Sequence, residues 1–255
     1  MDQKDKLTAA EFEHASAQKK FSFVNSVFSR VAMRYDLMND LMSGGAHRLW
    51  KDEFIKNIAF KPQMNVVDVA GGTGDIAFRI QDQLEKRRIP GKVIVVDPTV
   101  EMIEKGKDRS IDNNKFRHLD WYLAQAEKLP FDDNTFDTYT ISFGLRNAVD
   151  IKQSLEEAYR VLKPGGQFLC LEFSHIQNKI LAKLYDIYSF KVIPLMGKYV
   201  SHNQDAYEYL AESIRRFPTQ QKLKTLMENA HFANVAYQNL TFGTVAIHTG
   251  WKAEK

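Results

Sequence analysis

Asn65-Val66-Val67-Asp68-Val69-Ala70-Gly71-Gly72-Thr73-Gly74-Asp75 takes an apolar run through a glycine-rich turn and into a helical pattern that begins at Ile76. A strand that ends this way lets backbone N–H groups come close to a ligand, because glycine has no Cβ in the way and tolerates positive φ. A glycine cluster by itself is a weak signal, common in turns that bind nothing. Its company here is informative. After the helix a second apolar run, Val93-Ile94-Val95-Val96, closes on Asp97, about twenty residues past the turn, the spacing of a carboxylate that grips a ribose. The segment therefore reads as a βαβ unit with a nucleotide-type cofactor at its turn.

Outward from this unit the apolar period switches repeatedly between about two and about three and a half, the mark of alternating strands and helices. Strands are predicted at 65–70, 93–97, 121–125, 136–143, 167–173, 235–241 and 244–250, and helices at 21–42, 46–58, 75–87, 99–107, 151–162, 179–197, 204–214 and 219–230. Phe242-Gly243 is too short for a helical crossover, so the last two strands should pair antiparallel while the first five run parallel. The fold class is α/β: a seven-stranded, mostly parallel Rossmann-like sheet with a terminal antiparallel hairpin, helices on both faces and an N-terminal helical cap. By fold analogy this is the class I methyltransferase arrangement.

Composition agrees with one domain over 1–255, with a helical cap over about 1–58 and a helical insertion over about 176–215 covering the substrate site. The 255 residues are 44% hydrophobic, enough for one substantial core. Thirty-five basic and 32 acidic residues leave a formal net charge of +3, too balanced for a nucleic-acid footprint. Cys170 is the single cysteine, which excludes an internal disulfide and a multi-cysteine metal site, and it reads as a buried thiol in a reducing compartment. No metal is expected. The chain has no run of about eighteen apolar residues that would span a bilayer, and Met1 to Lys20 lacks the apolar core of a secretory signal.

Three strings bring the cofactor into focus. Asp68-Val-Ala-Gly-Gly-Thr-Gly74 resembles the turn of S-adenosylmethionine (SAM) methyltransferases, where the carboxylate orders the turn and the methionine portion of the cofactor. Ala70 stands where many of them have glycine, which costs little if its φ is negative. Ala126 to Asp137 resembles the loop that lies along the adenine in that superfamily, with Gln125 and Ala126 against the base. Arg160-Val-Leu-Lys-Pro-Gly-Gly166 ends a helix and launches a strand, and the same string recurs before the fifth strand of those enzymes. A nicotinamide oxidoreductase would instead show G-x-G-x-x-G, whereas Gly74 is followed here by Asp75-Ile76-Ala77.

Arg34-Tyr35-Asp36-Leu37-Met38-Asn39-Asp40-Leu41-Met42-Ser43, His47-Arg48-Leu49-Trp50-Lys51 and Ile141-Ser142-Phe143-Gly144-Leu145-Arg146-Asn147 narrow the likeness further. From about Phe21 onward the chain resembles the ubiquinone/menaquinone biosynthesis C-methyltransferases, the UbiE family. The resemblance implies methyl transfer from SAM to a ring carbon of a polyprenyl quinol, either a 2-methoxy-6-polyprenyl-1,4-benzoquinol or demethylmenaquinol. It implies cofactor contacts from Asp68, Gly71, Gly72, Thr73, Gly74, Asp97, Gln125, Ala126 and Ser142. Arg146 and Asn147 follow the fourth strand, at the strand ends where sites of open sheets form. Arg146 is expected to stabilise a phenolate, Asn147 to orient it or a water, and Tyr35 to hydrogen-bond the quinol head, with proton removal left to water or a carboxylate because arginine is a poor base. Phe28 and Met38 read as packing or channel residues. His47, Glu172 and His175 are left outside the catalytic set.

A lipid-soluble substrate implies access to a membrane surface, and Ile180 to Met196 reads as an amphipathic lid or surface-lying helix that Pro194 ends or kinks. The expected setting is cytoplasmic, peripherally associated with the inner membrane, with other quinone-biosynthesis enzymes as partners and a homodimer left open. The alternatives are a SAM-binding scaffold of a biosynthetic complex and a methyltransferase of another small aromatic substrate.

Overall fold

The computed structural model describes residues 16–31, 40, 43–116, 119–176 and 204–254. Seven strands form one sheet in the order β3-β2-β1-β4-β5-β7-β6. β1 (Met64–Val69), β2 (Gly91–Asp97), β3 (Leu119–Leu123), β4 (Phe136–Ser142) and β5 (Leu162–Phe173) run parallel; β7 (Val245–Lys252) pairs antiparallel with β5 and with β6 (Phe232–Leu240). The chain moves outward from β1 to β3 and then returns to β4 on the other side of β1. That reversal opens a crevice beyond the carboxyl ends of β1 and β4, where ligands of open α/β sheets bind.

Side-chain alternation along the strands supplies both faces of the core. Val66, Val93 and Val95 pack into one cluster with Val24 and Val27 of α1 (Ala17–Val31), Trp50, Phe54 and Ile55 of α2 (His47–Lys56), and Ile80 and Leu84 of α3 (Asp75–Arg87). Val67, Val69 and Ile141 enter the opposite cluster with Leu155 and Ala158 of α5 (Ile151–Val161) and Leu223 and Met227 of α7 (Gln220–Asn229). Local chemistry sets the helix starts: Asp150 accepts the Gln153 N–H at 3.1 Å and Thr219 accepts that of Lys222 at 3.4 Å, side-chain caps for otherwise orphaned donors. Among the described residues the remaining α-helices are α4 (Val100–Asp112) and α6 (Gln204–Arg216).

β5 and α4 differ most from the sequence reading. β5 starts at Leu162, not at 167, because Leu162 pairs with Phe136 and the Lys163-Pro164-Gly165-Gly166 string is absorbed as a register shift before Gln167 meets Thr138. α4 continues past 107 because Gly106 faces the Trp121 ring in place of ending the helix, and the Asn113 side chain donates to the Arg109 carbonyl at 2.7 Å. The expected helix at 179–197 and the second half of that at 21–42, with Tyr35 and Met38, lie outside the described residues. Among the described residues no helix is long and apolar enough to cross a membrane.

Trp121 is a wedge between α4 and the glycine-rich turn after β1. A Cβ on Gly106 would stand 2.3 Å from its ring, and one on Gly74 would stand 2.8 Å from it. Gly106→Ala is therefore expected to lower stability by about 1–3 kcal/mol, the usual cost of overpacking, measured as a shift of the urea midpoint at unchanged slope.

Candidate active site

The turn after β1 is forced into shape by its neighbours. A Cβ on Gly71 would lie 2.7 Å from Val95 Cγ1 and 2.8 Å from Asp68 Oδ2, while Gly72 and Gly74 adopt φ of +56° and +85°. Glycine is needed at all three positions, at two for conformation and at one for space. Ala70 corrects the expectation of a negative φ: it stands at +50°, as does Phe143 at +54° beyond β4. Their side chains face the crevice, and the space Ala70 occupies is left by Gly144, where a Cβ would come within 2.4 Å of Ala70 Cβ. Left-handed backbone costs an L-residue roughly 1–2 kcal/mol, so strain concentrates at the strand ends that line the site.

Acidic groups at those ends are buried. Asp68 is inaccessible; its Oδ1 accepts the Thr140 hydroxyl at 2.8 Å, its Oδ2 has no partner, and burial pushes its pKa up to about 7. Asp97 accepts the Gly72 N–H and the Thr99 N–H, both at 2.9 Å, and burial holds its pKa at about 6 against these bonds. It thus ties the glycine turn to the β2 exit, while retaining acceptor capacity on a carboxylate with about four lone-pair sites. Asp75 opens α3 and takes the Lys51 ammonium at 2.7 Å and Arg79 Nε at 3.1 Å; although burial opposes ionisation, these cations lower its pKa to about 2. Thr73 is buried and held by Arg109 through both its hydroxyl and its carbonyl.

The crevice holds two adjoining spaces. The larger is mostly apolar in its lining, as small-molecule sites usually are. Asp97, Pro98, Thr99 and Met102 form one wall, Gln125, Ala126 and Glu127 a second, and Phe21, Val24, Asn25 and Phe28 of α1 a third. Asn147 and Gly144 stand at its far side. The smaller is lined by Lys51, Asp68, Gly71, Thr73, Asp75 and Ser142, and shares Ala70, Gly72 and Phe143 with the larger. The loop carrying Gln125 is pinned by charge: Glu127 accepts the Val149 N–H at 2.6 Å, Glu157 that of Leu129 at 2.7 Å, and Arg160 donates to the Phe131 carbonyl at 2.7 Å.

Arg146 does not line either space. Its side chain is 4% exposed and faces Glu172, 1% exposed, with Nη1 at 3.1 Å from both carboxylate oxygens. Glu172 also accepts the Arg146 N–H at 3.1 Å and the Phe173 N–H at 3.0 Å. Burial pushes the Glu172 carboxyl up, and the guanidinium beside it favours the ionised form. The pair fixes the short 3-10 turn Leu145–Asn147, whose last residue accepts the Tyr209 hydroxyl of α6 on Oδ1 at 3.1 Å. Asn147 is half-buried and open to the larger space.

The structure therefore gathers Asp68, Gly71, Gly72, Thr73, Asp97, Gln125, Ala126, Ser142 and Asn147 around one crevice, sets Gly74 behind the turn, and turns Arg146 inward; Tyr35 is outside the described residues. His47 lies apart, bonded to Asp40 at 2.8 Å, with its pKa lowered chiefly by burial. Sequence reasoning missed Lys51, Glu127 and Tyr209, and of the α1 wall it singled out Phe28 alone. A lysine four residues past a buried histidine gives no local signal, and only the apolar spacing of Phe21, Val24 and Phe28 carries one.

SAM fits what the residues present. The turn is a cradle that a Cβ would fill, the Asp68 Oδ2 and Ser142 Oγ are buried acceptors without partners, and Asp97 lines the larger space at the exit of β2. Together with the strand order and the antiparallel terminal pair, these features define a class I methyltransferase that takes SAM as cofactor. The fold is shared with a SAM-dependent methyltransferase from Thermotoga maritima (TM-score 0.63, 20% identity, 90% of this chain and 99% of that one) and with another from Aquifex aeolicus (TM-score 0.58, 15% identity, 86% and 98%). The ubiE/COQ5 methyltransferase family model matches residues 14–252, and the chain belongs to that family. It is 49% identical over 241 residues to the ubiquinone/menaquinone biosynthesis C-methyltransferase UbiE of Rickettsia bellii, covering 94% of this chain and 97% of that one. Against the protein of the same name from Dinoroseobacter shibae it is 48% identical over 248 residues, 97% and 98% of the two chains.

The strained and buried groups have measurable effects on stability. Ala70→Gly should raise it by about 1 kcal/mol by relieving the positive φ, seen as a Tm increase of roughly 2–4 °C. For Asp68, the folded chain keeps a proton between its ordinary value of 3.8 and about 7 that the unfolded chain has released. Stability therefore falls as pH rises through that window and stays lower above it. Asp68→Asn should melt above wild type at pH 8 and alongside it near pH 4 in parallel thermal scans.

Proposed function

We propose that this chain transfers the methyl group of SAM to a ring carbon of a polyprenyl quinol, a 2-methoxy-6-polyprenyl-1,4-benzoquinol, demethylmenaquinol or both. The observation that carries the reading is near-full-length identity of 48–49% to relatives named for this chemistry. SAM, when bound, supplies an electrophilic sulfonium methyl; the protein's part is to align the ring carbon with it and exclude water.

The adenosine end is taken by Asp97, Gln125 and Ala126, and the methionine end by the turn from Asp68 to Gly74 with Ser142. The apolar side chains of α1 keep water from the reacting atoms. Asn147 meets a quinol oxygen with its side-chain amide, which helps hold the charge that makes the ring carbon nucleophilic. Arg146, neutralised by Glu172, acts by positioning: it sets the turn that aims Asn147, and a water or carboxylate takes the ring proton. Tyr35 hydrogen-bonds the quinol head from the N-terminal segment, and the 176–215 region covers the prenyl tail. The enzyme works in the cytoplasm against the inner-membrane surface, beside other enzymes of quinone synthesis.

The test incubates the protein with methyl-labelled SAM and short-chain reduced benzoquinol or naphthoquinol substrates. Label should appear on a ring carbon, and Asn147→Ala should lower kcat by about 10²–10³-fold, the effect of removing one charge-stabilising donor, with SAM binding retained. SAM binding without label in either ring would sink the quinol assignment.

A further inference from the structure

The smaller space beside the glycine turn is lined by a buried ammonium whose ion pair engages only part of its donor capacity. Lys51 reaches it from α2, with a side chain 6% exposed. A lysine is seldom buried to this degree, because desolvating an ammonium is costly. Its hydrogen bond among the described residues goes to Asp75 Oδ2 at 2.7 Å, which engages one of three donors. The same carboxylate also receives Arg79 Nε at 3.1 Å on Oδ1, so the ammonium shares its partner with a second cation. Across the same space are two acceptors without partners, Asp68 Oδ2 and Ser142 Oγ, both buried. A cation with donors to spare facing unsatisfied acceptors across one recess is the complement of an amino-acid zwitterion: a carboxylate for the cation, an ammonium for the acceptors.

We propose that Lys51 anchors the α-carboxylate of the methionine moiety of SAM, while Asp68 Oδ2 and Ser142 Oγ receive its α-ammonium. The proposal rests on the reading of the turn as the methionine end of the cofactor site, and assigns to α2, a helix 17 residues ahead of Asp68 at Lys51, the discrimination of that end. Lys51 is then a cofactor-specificity residue, and α2 is attached to the cofactor directly as well as through its packing.

Calorimetric titration of the full chain with three ligands tests it: S-adenosylhomocysteine, which has both charged groups; decarboxylated SAM, which keeps the amine alone; and methylthioadenosine, which has neither. Wild type should prefer S-adenosylhomocysteine to decarboxylated SAM. Lys51→Met should weaken S-adenosylhomocysteine by about 10–100-fold, the worth of a hydrogen bond to a charged group, and leave the other two nearly unchanged. Lys51→Arg, which keeps the cation, should recover part of the preference. Equal weakening of all three ligands in Lys51→Met would mean a structural role and overturn the proposal, as would an unchanged affinity for S-adenosylhomocysteine. Failure of wild type to bind S-adenosylhomocysteine at all would overturn the cofactor site itself, a result distinct from the loss of carboxylate selectivity alone.

Discussion

Asp68 sits where β1 ends, inaccessible to water, with the Thr140 hydroxyl on one oxygen and nothing on the other. A buried carboxyl in that condition demands accommodation from everything near it. Gly71 has to lack a side chain because the carboxyl fills the space beside it, and the positive end of α3 and the Lys51 ammonium stand across the same recess. The neighbouring strand ends obey the same requirement in another form. Asp97 is also buried, but it satisfies itself on two backbone N–H groups and so fixes the turn that Asp68 only borders. One carboxylate is built into the frame and the other keeps an oxygen without a partner beside the recess.

On the far side of the crevice, polar order comes from pairs that neutralise each other. Arg146 and Glu172 are both buried, and removing one member of such a pair costs about 3–5 kcal/mol because the other is left uncompensated. Their effect at the site is geometric: the guanidinium and its carboxylate hold a three-residue turn, the turn presents Asn147, and Asn147 is tied by Tyr209 to α6. Burial raises the Tyr209 pKa to about 12, so its hydroxyl stays a donor to that amide oxygen at any physiological pH. Phe23 of α1 packs edge-on against the same tyrosine ring, 5.6 Å between centroids. The two helices that flank the crevice thus meet at one aromatic group next to the presented amide.

The sheet was legible from the sequence because strand alternation and glycine turns are local signals; even the terminal antiparallel pair came from the shortness of Phe242-Gly243. Boundaries failed where a contact distant in sequence decided them, as when Phe136 recruits Leu162 into β5 or when Trp121 accepts Gly106 as a packing surface. In the site, the glycines, Asp68, Asp97, Gln125 and Ala126 are marked by their spacing from strand ends. Arg146 was visible, but not its direction, which depends on Glu172 26 residues later. Lys51 was invisible as a functional group because a lysine on a polar helix ordinarily faces water, and its burial is created by Asp75, 24 residues on.

Ala70 and Gly144 come from the ends of two adjacent parallel strands, and the methyl group of one occupies the place a methyl group on the other would need. The two positions are consequently not independent in inheritance. A chain that carries a side chain at 70 is confined to glycine at 144, and only a chain with glycine at 70 is free to vary at 144. Across relatives of this protein the pair should therefore drift as a single unit, leaving one combination, side chains at both, unvisited.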